Sequence, residues 1–375
     1  MSPERATIDP AVIGERLPNL AGIETLRAAL SGEEAYLVGG AVRDLLLGVD
    51  HPDLDVVVVG DVAALATKLG AVARIHERFA TATVDLEGTR VDLATARSET
   101  YARPGALPEI EPAPLERDLA RRDFTVNAMA VSLAGEPEVI DPHAGVTDLR
   151  AGLLRVLHPA SFVDDPTRAL RAARYVARFG LELEPQTADL LQRADLGTVS
   201  HDRIEAELRR TAAAPQAATA FGFLALWKLA GVDSGAPGRI KSIEAVLAEP
   251  AWEHISEPGE AIYAVARPDP ELEAVALRLS SAHPERPSEA VALARGRSPI
   301  ELVIGRAAGA VWLDDFVREW RHVRLEIDGA DLIEAGVEQG PAVGSGLAAA
   351  LDAKLDGEID GPEAELRIAL AAASS

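Results

Sequence analysis

The stretch that decides the fold reads Tyr36-Leu37-Val38-Gly39-Gly40-Ala41-Val42-Arg43-Asp44-Leu45-Leu46-Leu47-Gly48, and it is followed shortly by Asp53-Leu54-Asp55-Val56-Val57-Val58-Val59. The pattern predicts a strand over 36–38, a helix over 41–47 and a second strand over 56–59. Because side chains of a strand alternate between its two faces, Asp53 and Asp55 are expected to point the same way. The pair is therefore a candidate clamp for divalent metal ions.

Two carboxylates on one face can hold two Mg²⁺ ions about 3.5 to 4 Å apart across an in-line phosphoryl displacement. One ion would activate an attacking hydroxyl, and the other would neutralise charge on a triphosphate leaving group. Mg²⁺ suits this role because it prefers oxygen ligands and keeps waters that substrate phosphates can replace. Upstream, Gly39 and Gly40 expose bare backbone at a helix start, where a phosphate can approach closely.

Each motif also has an ordinary interpretation. Asp-X-Asp after a proline is a common solvated turn, and Gly-Gly is a common loop. A phosphate-binding loop of the type Gly-X-X-X-X-Gly-Lys-Ser/Thr does not occur, and the first strand lacks the dinucleotide fingerprint Gly-X-Gly-X-X-Gly. What favours function is the combination of a strand, a glycine pair at a helix start and a strand-borne carboxylate pair, which is far rarer than its parts.

A second cluster, residues 117–130, mixes charge with an apolar stripe. The side chains predicted to pack inward are Leu119, Phe124, Ala128 and Met129. Arg121, Arg122 and Asp123 would then face a cavity or solvent. Arginine forks suit phosphate oxygens, but surface ion pairs at a helix end explain the same residues equally well.

A third cluster, residues 163–180, predicts a helix with Asp165 as its N-cap, Pro166 as its first residue and Gly180 as its end. Arginines recur there at every third position and drift slowly round one side of the helix: Arg168, Arg171 and Arg174. A simple cap and a solvated face account for these residues as well as a binding site does, and spacing alone does not choose.

Together these clusters resemble the class II tRNA nucleotidyltransferases, which are the CCA-adding enzymes, and their bacterial poly(A) polymerase relatives. Five family motifs match in order and spacing, at residues 37–48 with 53–55, 121–128, 141–149, 164–175 and 202–208. Five ordered matches are a highly specific signal. Two departures occur: the fourth motif usually begins Glu-Asp where this chain has Asp164-Asp165, and the third usually has an aromatic residue where His143 stands.

The resemblance implies a role for each matching residue. The catalytic metal ligands, for Mg²⁺, would be Asp53 and Asp55. The nucleotide-binding residues of the head would be Gly39, Gly40, Arg43, Arg122 and Asp123. The protein template that selects the incoming base would consist of Asp165, Arg168, Arg171 and Arg174.

Base selection by such a template has a physical rationale. A carboxylate accepts a hydrogen bond from the exocyclic amine of C or A, while an arginine donates to the adjacent ring nitrogen. U and G present a carbonyl and a ring N–H instead, and a mismatch leaves buried polar groups unpaired. Asp92, on another alternating segment, could add a third carboxylate, although structural strand aspartates are at least as common.

The implied fold class is α+β: an N-terminal mixed α/β nucleotidyltransferase head with a small β-sheet, followed by an all-α neck, body and tail. The predicted boundaries are a leader helix at 1–32, the head at 33–150, the neck at 151–214, the body at 215–310 and a tRNA-binding tail at 311–375. Further strands are predicted at 82–86, 90–94 and 130–133. The proline-rich segment 104–114 predicts a mobile loop.

The composition restricts which metal sites, cellular location and binding partners are expected. The 375 residues include no cysteine, which excludes disulfides and cysteine-bound zinc. No run approaches about 18 apolar residues, and no signal peptide is recognisable, so we expect no membrane association and a cytoplasmic location. The net charge of −23 argues against a nucleic-acid substrate. Residues 150–210, however, carry ten arginines against nine acidic side chains. We therefore expect weak, strongly salt-dependent tRNA binding.

The predicted activity is addition of C and A to the tRNA 3′ end from CTP and ATP. The alternatives are a CC-adding or A-adding specialist, a poly(A) polymerase, a non-catalytic RNA-binding relative and a small-molecule nucleotidyltransferase. The intact Asp53 and Asp55 argue against the non-catalytic relative. A small-molecule enzyme would need neither the arginine template nor a long helical tail.

Overall fold

The computed structural model describes residues 8–49, 54–60, 62–69, 74–76, 81–86 and 88–374. Over this part of the chain the Cα positions divide into two compact units, Met1–Leu208 and Arg209–Ser375. The predicted head and most of the predicted neck fall in the first unit, and the predicted body and tail fall in the second. The finer division into five segments stays a prediction.

The first unit is built on a mixed sheet. The strands within the described residues are β1 Ala35–Val38, β2 Leu54–Val58, β3 Arg74–His76, β4 Thr81–Leu86, β5 Thr89–Thr95, β6 Arg97–Thr100, β7 Glu109–Pro112, β8 Ala130–Ser132, β9 Val139–Ile140, β10 Leu153–Leu154 and β11 Glu182–Leu183. Seven of these described strands form one sheet in the order β3-β4-β5-β2-β1-β8-β9. Strand β2 runs parallel to β5, and β1 runs antiparallel to both β2 and β8. The predicted mixed α/β head is confirmed.

The central strand β2 is buried on both faces, which explains its unbroken apolar run. Leu54, Val56, Val57 and Val58 are each no more than 2% exposed. Asp55 is the exception, because its side chain is exposed. The antiparallel register with β1 places the end of β1 beside the start of β2, so the glycine pair that follows β1 lies at the same end of the sheet as Asp55.

The helices up to residue 212 are α1 Val12–Arg16, α2 Ile23–Ala29, α3 Gly40–Leu47, α4 Val62–Lys68, α5 Leu115–Ala120, α6 Gly145–Ala151, α7 Ser161–Asp164, α8 Thr167–Phe179, α9 Pro185–Leu191 and α10 His201–Ala212. The predicted helix at 41–47 is confirmed as α3, and the five predicted strands of the head occur with slightly shifted ends. Helix α8 begins one residue later than predicted, with Pro166 as its N-cap. Gly180 ends α8 in the left-handed conformation, as predicted.

The neck was predicted to be all-α. It differs from that prediction because β10 and β11 form a short parallel pair. Both strands follow glycines that end helices with positive φ, Gly152 at 72° after α6 and Gly180 at 59° after α8. A left-handed residue stops the helical hydrogen-bond pattern, so the chain continues extended. The two extended segments then pair side by side.

The prediction of a loop at 104–114 is wrong for its second half. Strands β6 and β7 form an antiparallel hairpin that pairs Arg97 with Pro112 and Thr100 with Glu109. A two-stranded ribbon has two open edges, so a proline at a strand end does not prevent pairing. The irregular parts are the tip, residues 101–108, and the short link 113–114 before α5.

The second unit is helical throughout its described residues. Its helices after α10 are α11 Ala217–Leu226, α12 Ala236–Leu247, α13 Pro258–Val265, α14 Pro270–Ser280, α15 Pro287–Ala294, α16 Pro299–Ala307, α17 Leu313–Arg318, α18 Gly329–Glu334, α19 Pro341–Leu355 and α20 Pro362–Ala373. Six of these helices begin at a proline, whose fixed φ and missing N–H suit the first helical turn. Pro258, Pro270 and Pro287 are examples of helix starts that follow loops.

A tight turn joins α18 to α19 near the C-terminus. Gly336, with φ of 99°, follows α18, and Pro341 opens α19. Gly346 packs α19 against α20, since a Cβ there would lie 2.6 Å from the Ala369 carbonyl oxygen. Among the described residues, no helix is long and apolar enough to cross a membrane.

Candidate functional site

The glycine turn between β1 and α3 is shaped around an arginine. Gly39 has φ of 69°, and its N–H donates to the Met129 carbonyl at 3.0 Å. A Cβ on Gly39 would collide with Nη1 of Arg122. The turn therefore needs glycine for both its conformation and its space. The structure brings together the predicted residues Gly39, Gly40 and Arg122.

The acidic part of the site lies on β2 and β5. Asp55 pairs with Asp92 across these parallel strands, and its side chain is exposed. Asp92 accepts from the Thr83 hydroxyl at 2.5 Å and forms an ion pair with Arg90 at 3.2 Å. Carboxylate oxygens at the open end of a sheet are the donors that Mg²⁺ prefers, so this donor set fits the predicted metal. Asp53 lies outside the described residues.

Arg43 is enclosed by protein groups. Its side chain donates to Asn127 and, at 2.8 Å, to Asp44. The guanidinium carbon lies 4.2 Å from the ring centre of Phe179 and 5.4 Å from that of Tyr175, which is cation–π range. Arg43 thus fastens α3 to α8. Its predicted contact with the triphosphate stays a prediction.

Arg121 and Arg122 share one carboxylate. Asp118 is fully buried, and it accepts from Arg121 at 2.7 Å and from Arg122 at 2.9 Å. Burial alone would raise the pKa of Asp118, but the two guanidinium groups lower it below its usual value. Nε of Arg122 is buried without a hydrogen-bond partner among the described residues. A different atom of the same guanidinium, Nη1, is the one that lies beside the glycine turn.

Asp123 is buried, which differs from the prediction that it faces a cavity or solvent. Its Oδ2 accepts from Arg171 at 2.8 and 2.6 Å, and its Oδ1 accepts from Asn127 at 2.9 Å. Burial raises the pKa of Asp123, but Arg171 and Asn127 more than offset this and lower the pKa to about 2. The buried Asp123 therefore forms an ion pair with the partly exposed Arg171, which joins the second motif to α8.

Asp165 and Arg168 stand together at the start of α8. Asp165 precedes the N-cap Pro166, one residue away from its predicted N-cap position, and it accepts from the Thr167 backbone N–H at 3.0 Å and from Arg203 at 2.9 Å. Arg168 is buried and donates to Ser161 at 2.7 Å and to the Arg121 carbonyl at 2.7 Å. Because a guanidinium carries five N–H donors, Arg168 can still donate to a base.

Arg174, the last predicted template residue, lies two turns along α8. It donates to Glu207 at 2.8 Å, and Glu207 is buried. Arg174 therefore links α8 to the fifth motif, residues 202–208, on α10. Its predicted role in base selection stays a prediction, as do those of Arg168, Arg171 and Asp165.

Four residues with long or shared contacts lie within the sequence motifs but had no predicted role: Asp118, Asn127, Arg203 and Glu207. One local signal existed, because Asp118 precedes Arg121 and Arg122 by three and four residues, the spacing of helical ion pairs. The partner of Arg203, by contrast, lies 38 residues away. No local pattern points to such a contact.

The sequence of the chain is similar to those of several known proteins. The family described as the poly A polymerase head domain matches residues 35–155. A CC-adding tRNA nucleotidyltransferase of Deinococcus radiodurans is 37% identical over 326 residues, which cover 84% of this chain and 83% of that protein. An A-adding tRNA nucleotidyltransferase of Halalkalibacterium halodurans is 47% identical over 187 residues, 46% of this chain and 44% of that protein. The chain thus spans less than half of the length of the A-adding relatives it matches.

A solved structure agrees over nearly the whole chain. The Thermotoga maritima CCA-adding enzyme complexed with tRNA has a TM-score of 0.69 and 27% sequence identity. The match covers 99% of this chain and 98% of that one. The likeness therefore includes the helical second unit as well as the head.

Proposed function

Because this chain belongs to the class II tRNA nucleotidyltransferases, we propose that it adds C and A to the 3′ end of tRNA from CTP and ATP without a nucleic-acid template. The relatives named as CC-adding and A-adding enzymes support the nucleotides, and the solved complex of a relative with tRNA supports the acceptor. In the reaction, the 3′ oxygen of tRNA bonds to the α-phosphorus, the bond to the bridging oxygen breaks, and pyrophosphate leaves.

The residues of the head are arranged to bind the reacting groups. Asp55 and Asp92, with Asp53, would hold Mg²⁺, which when bound makes a hydroxyl more acidic and neutralises phosphate charge. The glycine turn lets a triphosphate approach the backbone, and Arg122 beside it supplies a fork of donors for phosphate oxygens. Asp118 keeps the Arg122 side chain in place through its ion pair.

One observation carries the proposal: Arg168 donates to the backbone carbonyl of Arg121 at 2.7 Å. This hydrogen bond attaches the base-selecting pair of Asp165 and Arg168 to Arg121. The next residue, Arg122, lies beside the glycine turn. A nucleotide whose phosphates lie at the turn would present its base to α8. Asp165 would accept from the amine of C or A, and Arg168 would donate to the adjacent ring nitrogen.

A second candidate is a CC-adding specialist. One observation favours it, because the Deinococcus radiodurans relative, which matches over 84% of this chain, is named a CC-adding enzyme. Such a protein would use the same head and the same base-selecting pair but stop before ATP. The A-adding specialist, the poly(A) polymerase, the RNA-binding relative and the small-molecule enzyme remain alternatives that one experiment separates.

That experiment incubates purified protein with Mg²⁺ and labelled CTP, ATP or both. The acceptors are tRNAs that end before the first C, after the first C, after both Cs, or complete, together with a small alcohol. Addition of two Cs and one A, then arrest, supports CCA addition. Arrest after two Cs establishes the CC-adding specialist, and A addition confined to tRNA ending in two Cs establishes the A-adding one. Long A tails establish a poly(A) polymerase.

The catalytic assignment needs a matched pair of variants. Asp55→Asn should abolish incorporation while leaving tRNA binding unchanged. Asp85→Asn is the control, since Asp85 is an exposed carboxylate on β4, which is separated from β2 by β5, and it caps the turn at Gly88. Full activity in Asp55→Asn, or no incorporation by the wild type with any acceptor, would refute the proposal. The cytoplasmic location stays a prediction.

A further inference from the structure

Arg16, the last residue of α1, holds the C-terminal end of α3. Its Nη1 donates to the carbonyl of Leu45 at 2.6 Å and to that of Leu46 at 3.3 Å. These carbonyls belong to the last turn of α3, where a helix leaves its final C=O groups without partners inside the helix. A guanidinium also brings the positive charge that the negative end of a helix dipole favours. Arg16 therefore caps α3 from a segment 29 residues earlier in the chain.

Gly48, which ends α3, leaves room for this guanidinium. Its φ is 77°, and its backbone N–H donates to the carbonyls of Asp44 and Leu45. A Cβ on Gly48 would lie 3.3 Å from Nη2 and 3.4 Å from Nη1 of Arg16. The planar group therefore packs against the backbone of this turn as well as donating to it, so the contact depends on the shape of arginine and on its charge.

The helix that carries Arg16 is fixed to the head. Ile13 and Leu17, on either side of Arg16, are fully buried. The segment is also attached before α1, because Arg150 of α6 donates to the carbonyl of Ile8 at 2.6 Å. Arg16 therefore reaches α3 from a packed support.

The opposite end of α3 begins at the glycine turn, which a triphosphate would approach. Helix α3 has eight residues, a length of about 12 Å, and a helix this short depends on its contacts for stability and position. Its start is held by the Gly39 N–H on the Met129 carbonyl, its middle by Arg43 on the Phe179 ring, and its end by Arg16. Release of one end of such a short helix would shift the other end.

Building on the proposed function, we propose that Arg16 is a positioning residue for the triphosphate: by capping α3 it fixes the glycine turn at the other end of the helix. Arg16 acts through α3 and not by contact with the nucleotide. The N-terminal segment 8–30 is then part of the support of the nucleotide site. Because CTP and UTP carry the same triphosphate, loss of Arg16 would weaken the binding of both equally and leave base selection unchanged.

Arg27 of α2 provides a matched control. It is half-buried like Arg16, and it also donates to two backbone carbonyls of the head, those of Leu133 at 3.2 Å and of Gly135. These two residues follow β8, and the Leu133 N–H donates to Ala35 at the start of β1. The glycine turn follows the other end of β1. Arg27 therefore makes the same kind of contact at the opposite end of the sheet.

The test measures binding of inorganic tripolyphosphate with Mg²⁺ by calorimetry, together with kinetics on tRNA lacking the first C. Arg16→Met keeps the apolar stem but removes the donors. We expect it to raise the Kd for tripolyphosphate and the KM for CTP about fivefold, the size of a partly buried charge effect at a helix end. The KM for tRNA and the preference for CTP over UTP should stay unchanged. Arg27→Met should bind tripolyphosphate like the wild type.

Lysine variants keep the test independent of folding. In Arg16→Lys an ammonium can still donate to the helix end but lacks the guanidinium plane, so its tripolyphosphate affinity should lie between those of Arg16→Met and the wild type. Wild-type affinity in Arg16→Met, or an equal loss in Arg27→Met, overturns the role of Arg16. If Arg16→Met does not fold, weaker binding by Arg16→Lys than by Arg27→Lys supports the proposal, and equal binding overturns it.

This proposal and the proposed function fail in different ways. A wild type that adds no nucleotide to any tRNA refutes the proposed function, whereas the comparison of tripolyphosphate binding between the Arg16 and Arg27 variants does not depend on turnover. Normal addition of nucleotides by a wild type whose Arg16→Met variant keeps its KM for CTP overturns the role of Arg16 alone.

Discussion

Asp55 on β2 lies directly opposite Asp92 on the parallel strand β5. Residues paired in register project from the same face of a sheet, so the two carboxylates are neighbours on one surface. From the sequence alone, a structural role for Asp92 was at least as good an explanation as a role as a third metal-binding carboxylate. Arg90 already pairs with Asp92, and the register adds a second carboxylate beside it, so the two acids together could share a divalent cation.

The first prediction follows from that pairing. Asp92→Asn should raise the Mg²⁺ concentration needed for half-maximal activity by about tenfold, since one charged ligand is lost. Calorimetric titration with Mg²⁺ alone should show the same weakening, which separates metal binding from turnover. Asp85→Asn, on the adjacent strand, should match the wild type in both measurements. An unchanged Mg²⁺ requirement in Asp92→Asn would show that Asp92 is structural.

The second prediction concerns pH. Interaction with Arg171 lowers the pKa of Asp123 from 3.8 to about 2 in the folded protein. A lowered folded pKa means that the carboxylate stabilises the fold above the unfolded pKa of 3.8 and that this stabilisation is lost as the pH falls toward 2. Its size is about 2 kcal/mol.

Urea unfolding at several pH values measures this effect. Asp123→Asn should lower the free energy of unfolding by about 2 kcal/mol at pH 7, and this difference from the wild type should shrink as the pH falls below 4. Asp202→Asn is the control, because Asp202 is exposed. A difference that stays constant from pH 7 to pH 3 would contradict the ion-pair explanation.

The third prediction concerns the glycine turn. Gly39→Ala would push a methyl group into Arg122 and strain a residue with φ of 69°. We expect the KM for CTP to rise at least about tenfold, because Arg122 must leave the position beside the turn. The KM for tRNA should not change.

A matched control separates strain from the collision. Gly88 has φ of 81° but open space around its Cβ position, so Gly88→Ala carries backbone strain without a clash. Both variants should lose about 1 to 2 kcal/mol of stability from the left-handed backbone. Equal KM values for CTP in the two variants would show that displacement of Arg122 is irrelevant.

Local patterns predicted most of the head. The strand at 56–59 is an apolar run, and the helix at 41–47 lies between two glycines, so both follow from spacing and glycine placement. The hairpin β6–β7 was missed because its prolines resemble loop punctuation, while pairing between Arg97 and Pro112 depends on two distant segments meeting. Long-range side-chain contacts were missed for the same reason.

The charged clusters show why local sequence patterns do not predict which charges are buried or which residues they pair with. The sequence placed Arg121, Arg122 and Asp123 together and assigned all three to a cavity or solvent. The structure instead pairs Asp123 with Arg171, which is 48 residues away. A one-dimensional pattern shows which charges are near in sequence, but burial and partners are decided by which helix packs above them.

The last prediction tests the fully buried Asp118. Its carboxylate binds both Arg121 and Arg122, so Asp118→Asn would leave two guanidinium groups facing an amide. We expect the free energy of unfolding to fall by about 3 kcal/mol, typical of a broken buried ion pair. The KM for CTP should also rise, because Arg122 loses its anchor. Glu116→Gln, an exposed change on the same helix, should alter neither urea unfolding nor KM. If Asp118→Asn is as stable as Glu116→Gln, Asp118 does not hold the arginines in solution.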